Sequence, residues 1–226
     1  MSEKNSPFGN KAVNGLKRKY PRAVCALEHG GDPWRLLVMA RLSAQCTDAR
    51  VNIVSRELFR KYRGAREMAG ANLSDVEGIV RPCGLHRTKA RDIIGISQKL
   101  ISDFDGRVPE TADELLTLPG VGKKIANLVL GDIYGKPGIV TDTHCIRICG
   151  RLGFYPENEK NPVKIEKILK DQIEDSEQSD FCHRLVMFGR DVCTARNPKC
   201  RECALSDFCA HFEAASADSE HTHHLK

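Results

Sequence analysis

Apolar residues recur along this chain at helical rather than alternating spacing. Val51, Val54, Leu58, Phe59 and Tyr62 fall three and four apart or adjacent, which places them on one face of a helix with a 3.6-residue turn. Ile93, Ile94, Leu100, Ile101 and Phe104 form a second stripe, and Ile165, Ile168, Leu169 and Ile173 a third. A denser apolar run around Leu36, Leu37, Val38 and Met39 follows Asp32-Pro33, an N-cap residue and a first helical position. Start signals precede the other stripes as well. Thr47 can cap the helix of Val51, and Asn161-Pro162 opens that of Ile165. Ser74-x-x-Glu77 and Thr111-x-x-Glu114 have the capping-box form, in which two side chains satisfy the free N–H groups of a first turn. No segment shows a convincing period-two alternation. The pattern predicts an all-α protein.

The chain has 226 residues, enough for one compact unit or two small interlocked ones. No apolar run approaches the ~18 residues of a membrane span. Met1 to Val24 carry charge throughout, without the apolar stretch of a secretory signal. A secreted or membrane protein is therefore not expected. Lys and Arg number 35 against 30 Asp and Glu, a net +5. Glu213, Asp218 and Glu220 against Lys226 leave the last stretch at −2 and the body at +7. Such an excess suits a polyanionic partner without requiring one. The Ala/Ser/His-rich stretch from Glu213 onward reads as a disordered tail, its His221, His223 and His224 solvated rather than metal-binding.

Two segments carry candidate chemistry. A short helix ending near Leu118 is followed by Pro119-Gly120-Val121-Gly122, and Lys123-Lys124-Ile125-Ala126 opens a longer helix. The glycines permit a tight turn, and the first N–H groups of the second helix point outward toward any phosphate oxygen. This is either a helix-hairpin-helix that holds a DNA backbone or an ordinary αα-hairpin. Lys124 is a candidate nucleophile, since a lysine amine can attack carbon to give a Schiff base. Val140-Thr141-Asp142-Thr143-His144 sets a carboxylate just ahead of another helix, either as a cap or beside a developing positive charge. Cys193-x6-Cys200-x2-Cys203-x5-Cys209 gathers four thiols on one loop, a donor set for tetrahedral zinc or for an iron–sulfur cubane. Paired C-x2-C knuckles, usual for zinc, are absent, which tilts the reading toward the cubane without deciding it. Arg196, Lys199 and Arg201 lie between these cysteines.

Taken in order, Leu42-Ser-Ala-Gln-Cys-Thr-Asp48, Gly84-Leu-His-Arg-Thr-Lys-Ala90, Leu118-Pro-Gly-Val-Gly-Lys-Lys-Ile-Ala126, Val140-Thr-Asp-Thr-His144 and the cysteine run resemble endonuclease III, from about Tyr20 to Phe212. The resemblance implies a base-excision DNA glycosylase with abasic-site lyase activity. It implies two helical domains: a six-helix domain over 26–136 with the helix-hairpin-helix, and a cluster domain over 137–212 that packs with residues 1–25. Residues 213–226 stay outside as the tail. DNA would lie between the domains. Lys124 matches the nucleophile, Asp142 the catalytic carboxylate, and Cys193, Cys200, Cys203 and Cys209 the ligands of a 4Fe–4S cluster. Gln45 and Leu85 match residues that fill or wedge the space of a flipped nucleotide. Gly120, Val121, Gly122, Lys123, His144, Arg196, Lys199 and Arg201 are the further DNA contacts expected.

The implied partner is duplex DNA carrying damaged bases, oxidised pyrimidines foremost, or abasic sites. A monomer in the cytoplasm, associated with the nucleoid of a prokaryotic source, is expected. Cys46 stands where similar proteins commonly have alanine, and Thr141 where a small apolar residue is usual. Cys145 and Cys149 read as small buried helical residues. Rival readings are a monofunctional or mismatch-specific glycosylase, which would lack the lysine at 124, a non-enzymatic DNA-binding module, and a zinc-bound structural protein.

Overall fold

The computed structural model describes residues 6–223, with side chains as far as Ser216. Among these residues every regular element is a helix. The chain divides into two compact units, one over Cys25–Lys136 and one that joins Met1–Val24 to Pro137–Lys226. No helix among the described residues is long and apolar enough to cross a membrane.

The terminal unit opens with α1 (Pro7–Lys19), whose N-cap Ser6 accepts a hydrogen bond from the Gly9 N–H. The inserted unit then runs through α2 (Pro33–Leu42), α3 (Asp48–Lys61), α4 (Ala65–Ala69), α5 (Leu73–Val80), α6 (His86–Asp103), α7 (Ala112–Leu116) and α8 (Lys123–Tyr134). A 3₁₀ turn, Arg81–Cys83, joins α5 to α6. Asp32 and Thr47 cap α2 and α3 through their side-chain oxygens, as their positions predict. Thr111 caps α7, accepting from the Glu114 N–H. Ser74 does not cap α5. Asn72 does, its Oδ1 accepting from the N–H groups of both Ser74 and Asp75, so that helix begins a residue before Ser74. The core of this unit is built from α2, where Leu36, Leu37, Val38 and Leu42 are all fully buried, and from Val51, Leu58, Ile93 and Leu100 on α3 and α6. Each such side chain contributes about 1.5–3 kcal/mol relative to exposure. The indole N–H of buried Trp34 donates to Ser97 Oγ at 3.0 Å, which leaves no polar atom of the ring orphaned.

The terminal unit resumes with α9 (Thr143–Leu152), α10 (Pro162–Gln172) and α11 (Gln178–Asp191), then a cysteine-bearing loop with two short 3₁₀ turns, then α12 (Ala210–His223). Asn161 caps α10. Helix α1 lies against the later segments where it lacks side chains. A Cβ added at Gly15 would stand 2.3 Å from Leu205 Cδ2, and one at Gly9 would stand 2.1 Å from the Gln172 carbonyl oxygen. Phe8 adds edge contacts to Phe154 and Phe208, with centroids 4.9 and 5.7 Å apart. Arg184, 2% exposed, is neutralised by Glu177 and Asp180 and donates to the Tyr20 carbonyl. The segment expected to be a disordered tail from 213 continues as helix to His223. Ala214, Ala215 and Ala217 give it strong helix propensity. His224 and the two residues after it lie outside the described residues.

Candidate functional site

Between α7 and α8 the chain reverses through Pro119–Gly122. Gly120 has φ +67°, a conformation that costs other residues about 1–2 kcal/mol. Space forbids a side chain there too: a Cβ would lie 2.4 Å from Arg41 Nε and 2.6 Å from Asp92 Oδ2. These two groups form a half-buried ion pair, with Arg41 Nε donating to Asp92 at 2.7 Å. Leu118 and Val121 anchor the turn by burial. Gly122 is different. Its backbone is extended, no side chain caps α8, and a Cβ there would meet nothing within 4 Å. The first-turn N–H groups of α8 are left for an anion. Lys123 and Lys124 are both exposed on that turn.

Asp142 is the N-cap of α9, Oδ1 accepting from the Cys145 N–H at 2.7 Å. The two sequence readings of this residue are compatible, since one oxygen serves the cap and a carboxylate has lone pairs to spare. Asp142 belongs to the terminal unit and Lys124 to the inserted unit. His144 is half-buried, its Nδ1 3.2 Å from Arg147 Nη2, and a side chain at Gly189 of α11 would collide with the ring. The structure thus packs His144 against its own unit. Cys145 and Cys149 are buried, as their helical positions predict. Hydrogen bonding to Cys149, followed by burial, pushes the Cys145 thiol well above its ordinary range.

Further along α9, two arginines hold the cysteine loop by its backbone. Arg147 donates to the Cys193 carbonyl at 2.9 Å, and Arg151 to those of Thr194 and Ala195 at 2.8 and 3.1 Å. All four thiols of Cys193, Cys200, Cys203 and Cys209 line one pocket together with Ile148, Leu152 and Phe188. Arg151 also points an N–H toward Cys193 Sγ at 3.5 Å, and the Leu205 N–H points toward Cys203 Sγ at 3.4 Å. Donors aimed at sulfur favour thiolate. Burial raises the Cys203 and Cys209 thiols, and the neighbouring cysteines add to the rise. Four like groups so placed need a cation to stay ionised. Among the described residues, no three of these sulfurs lie within 4.8 Å of one another. One tetrahedral zinc with Zn–S of ~2.3 Å would draw them to about 3.8 Å. The wider set suits a cluster of several irons. Arg196, Lys199 and Arg201 are exposed on this loop.

Gln45 and Leu85 occupy left-handed backbone at φ +53° and +48°. Neither residue type tolerates that region well, and such strain concentrates at functional sites. Both are exposed, Leu85 to 55%, an unusual placement for a leucine at a helix start. Lys89, read from sequence only as part of a motif, links their segments. It is fully buried on α6, and its Nζ donates to the carbonyls of Leu42 and Cys83 at 2.7 Å each. Burial lowers the pKa of its ammonium group, while the carbonyl end of α2 favours the cation. Sequence periodicity held no sign of this clamp, nor of the grip of Arg147 and Arg151. Only the three-dimensional neighbours of those cations reveal either.

Residues 38–175 match the model of the HhH-GPD superfamily of base excision DNA repair proteins. Residues 193–209 match the iron-sulfur binding domain of endonuclease III. The chain is 40% identical to an endonuclease III of a Synechocystis strain, over 88% of this chain and 90% of that protein. It is also 40% identical to the endonuclease III of Bacillus subtilis, covering 84% and 86% respectively. A solved structure of a trapped endonuclease III–DNA covalent intermediate superposes with a TM-score of 0.86 at 39% identity, over 92% of this chain and 96% of that one.

Proposed function

The chain belongs to the endonuclease III family of base-excision DNA repair glycosylases and lyases, with a 4Fe–4S cluster as cofactor, and from that premise we propose that Lys124 is its nucleophile. The observation that carries this reading is the exposed Lys124 amine on the first turn of α8, directly after a glycine turn whose N–H groups await an anion. A phosphate bound by those N–H groups brings the sugar of a neighbouring nucleotide within a side chain's length of the amine.

The chemistry follows from that placement. A base inside a duplex is out of reach, so the nucleotide must leave the stack, at a cost of a few kcal/mol. The Lys124 nitrogen attacks the anomeric carbon, and the bond to the base breaks as the base leaves with a proton. Asp142 stabilises positive charge on the sugar or accepts the proton that the amine sheds. The sugar ring opens to an imine on Lys124, which acidifies the neighbouring C2′ hydrogen. Loss of that proton expels the 3′ phosphate oxygen, and the strand breaks on the 3′ side of the lesion. Cys193, Cys200, Cys203 and Cys209 hold the cluster, which when bound cross-links the loop that Arg147 and Arg151 grip. The substrate proposed is duplex DNA with an oxidised pyrimidine or an abasic site, acted on by a monomer in the cytoplasm. Purified protein should nick duplexes with an abasic site or an oxidised pyrimidine and leave a uracil or mismatch duplex intact. Equal action on a mismatch, or base release without a nick, would replace this reading with that of a mismatch-specific or monofunctional enzyme.

Gln45 and Leu85 are proposed to refill the stack after the nucleotide leaves it. Alanine at either position should depress activity on a paired damaged base by roughly tenfold or more, one step of about 1.4 kcal/mol. Activity on a single-stranded abasic site, which has no stack to refill, should be nearly unchanged. Equal losses on both substrates would place the two residues in bond breaking or in folding instead.

Arg196, Lys199 and Arg201 are proposed phosphate contacts. Replacing Lys199 and Arg201 by alanine should weaken binding to all sequences alike and reduce the slope of log affinity against log salt by up to ~0.9 per lost contact. An unchanged slope, measured by fluorescence anisotropy between low and moderate salt, would leave the loop with only its structural role.

A further inference from the structure

Two thiols that the repair chemistry does not use stand between the Gln45 and Leu85 segments. Cys46 lies in the turn after α2, its N–H donating to the Ser43 carbonyl at 3.1 Å, and is half-buried. Cys83 ends the 3₁₀ turn two residues before Leu85 and is 2% exposed. Their side chains hydrogen-bond to each other, so sulfur faces sulfur across two separate segments. The Lys89 ammonium, bound to the carbonyls of Leu42 and of Cys83 itself, already holds those backbones side by side. The inserted unit has one other cysteine, Cys25. Burial, with Asp132 beside it, pushes that thiol up to about 12, which leaves it protonated and unreactive.

We propose that Cys46 and Cys83 are an oxidisable pair, and that their disulfide ties the Gln45 loop to the Leu85 turn and slows action on base-paired lesions. The functional half of this inference rests on the reading of Gln45 and Leu85 given above; the chemical half does not.

The oxidant is a low-molecular-weight disulfide of the glutathione class. Cys46, the more exposed thiol, attacks as thiolate and expels one small thiolate, leaving a mixed disulfide. Cys83 loses its proton and attacks the Cys46 sulfur, expelling the second. Two protein thiols become one disulfide, and the small disulfide leaves as two thiols. Burial, then the Cys46 thiol, raises Cys83 to about 11, while Lys89 and Arg50 act in the opposite direction. The second step is therefore the slower one, and the switch responds to sustained rather than brief oxidation. A disulfide accepts Cα separations of only ~4.4–6.8 Å. Closing it sets a fixed spacing between two strained residues that must both meet the DNA stack.

The test uses the full chain with its cluster, incubated with glutathione disulfide and digested with trypsin after alkylation. Peptide 42–50 should appear joined to peptide 67–87, two hydrogens lighter than their sum, and should separate on reduction. Cys46→Ala should give no such species. Oxidised protein should lose roughly tenfold in rate on a paired damaged base and little on a single-stranded abasic site. A reductant should restore the rate, and Cys46→Ala should be indifferent to the oxidant. Visible absorption of the cluster, followed throughout, separates this effect from cluster loss. Absence of the joined peptide, or a mixed disulfide that stays on Cys46, overturns the pair. If the link forms and the paired-substrate rate holds while Gln45→Ala lowers it, the tether is overturned alone. If Gln45→Ala also leaves that rate unchanged, the reading of the two loops falls with it.

Discussion

Lys124→Gln is expected to abolish capture of the protein on abasic DNA by borohydride and to lower the strand-cleavage rate by at least ~10³, about 4 kcal/mol of barrier. Binding should persist, because one cation is lost from a surface with many. An imine is reducible and a phosphate contact is not, so trapping reports the covalent bond itself. Lys123→Gln is the informative companion. Both lysines share the first turn of α8, but successive helical side chains diverge by ~100°, so one sugar carbon cannot meet both. The Lys123 variant should bind somewhat less tightly and still trap. Asp142→Asn isolates charge from capping, because asparagine caps a helix about as well as aspartate. It should fold and bind as the parent does and turn over slowly. Asp142→Ala should in addition lose about 1 kcal/mol of stability with the bond to the Cys145 N–H. Robust trapping by Lys124→Gln protein would move the nucleophile to another amine.

Cys203→Ser should cost the terminal unit most of its stability and leave the inserted unit folded. Loss of one of four ligands removes the cluster, a class of change that exceeds ordinary side-chain truncations. A loss of about 4 kcal/mol or more lowers Tm by on the order of 10 °C in a chain of this size. The two units can be watched separately. Trp34 is the chain's single tryptophan and lies in the core of the inserted unit, so its emission reports that unit alone. Circular dichroism reports helices of both. The variant should be colourless and should lose helicity in an early transition in which Trp34 emission does not move. Coincident transitions would mean that the two units unfold as one. A variant that kept its colour would remove Cys203 from the ligand set.

Local chemistry was the legible part of the sequence. Asp32, Thr47, Thr111, Asn161 and Asp142 each cap the helix that follows them, because a cap is a contact between residues two or three apart and needs no tertiary context. Ser74 was misread for the same reason. Asn72 offers the same kind of oxygen two residues earlier and accepts from the Ser74 hydroxyl as well as its N–H. The hairpin was legible as a turn, but not the unequal duties of its glycines. Gly120 is required by the Arg41–Asp92 pair packed under it, whereas Gly122 faces open space. Lys89 was invisible as a core residue because lysine on a helix normally reads as solvent-facing. Its burial depends on two carbonyls distant from it in sequence. Wherever a polar residue's partner lies far along the chain, the pattern of apolar positions carries no record of it.

The joining of α1 to residues far downstream bears on how the protein is made. The inserted unit is contiguous, so it can fold as soon as it has left the ribosome, in the usual manner of a domain during synthesis. Helix α1 emerges earlier but has nothing to bury against until Leu205 and Phe208 arrive to meet Gly15 and Phe8. Throughout that interval its apolar face, with Val13 and Leu16, stays exposed. The cysteines that take up iron come from the same late segment. Metal loading and the docking of α1 are thus one event in time, and a cell short of iron or sulfide would accumulate chains with one finished unit and a loose amino-terminal helix open to proteases.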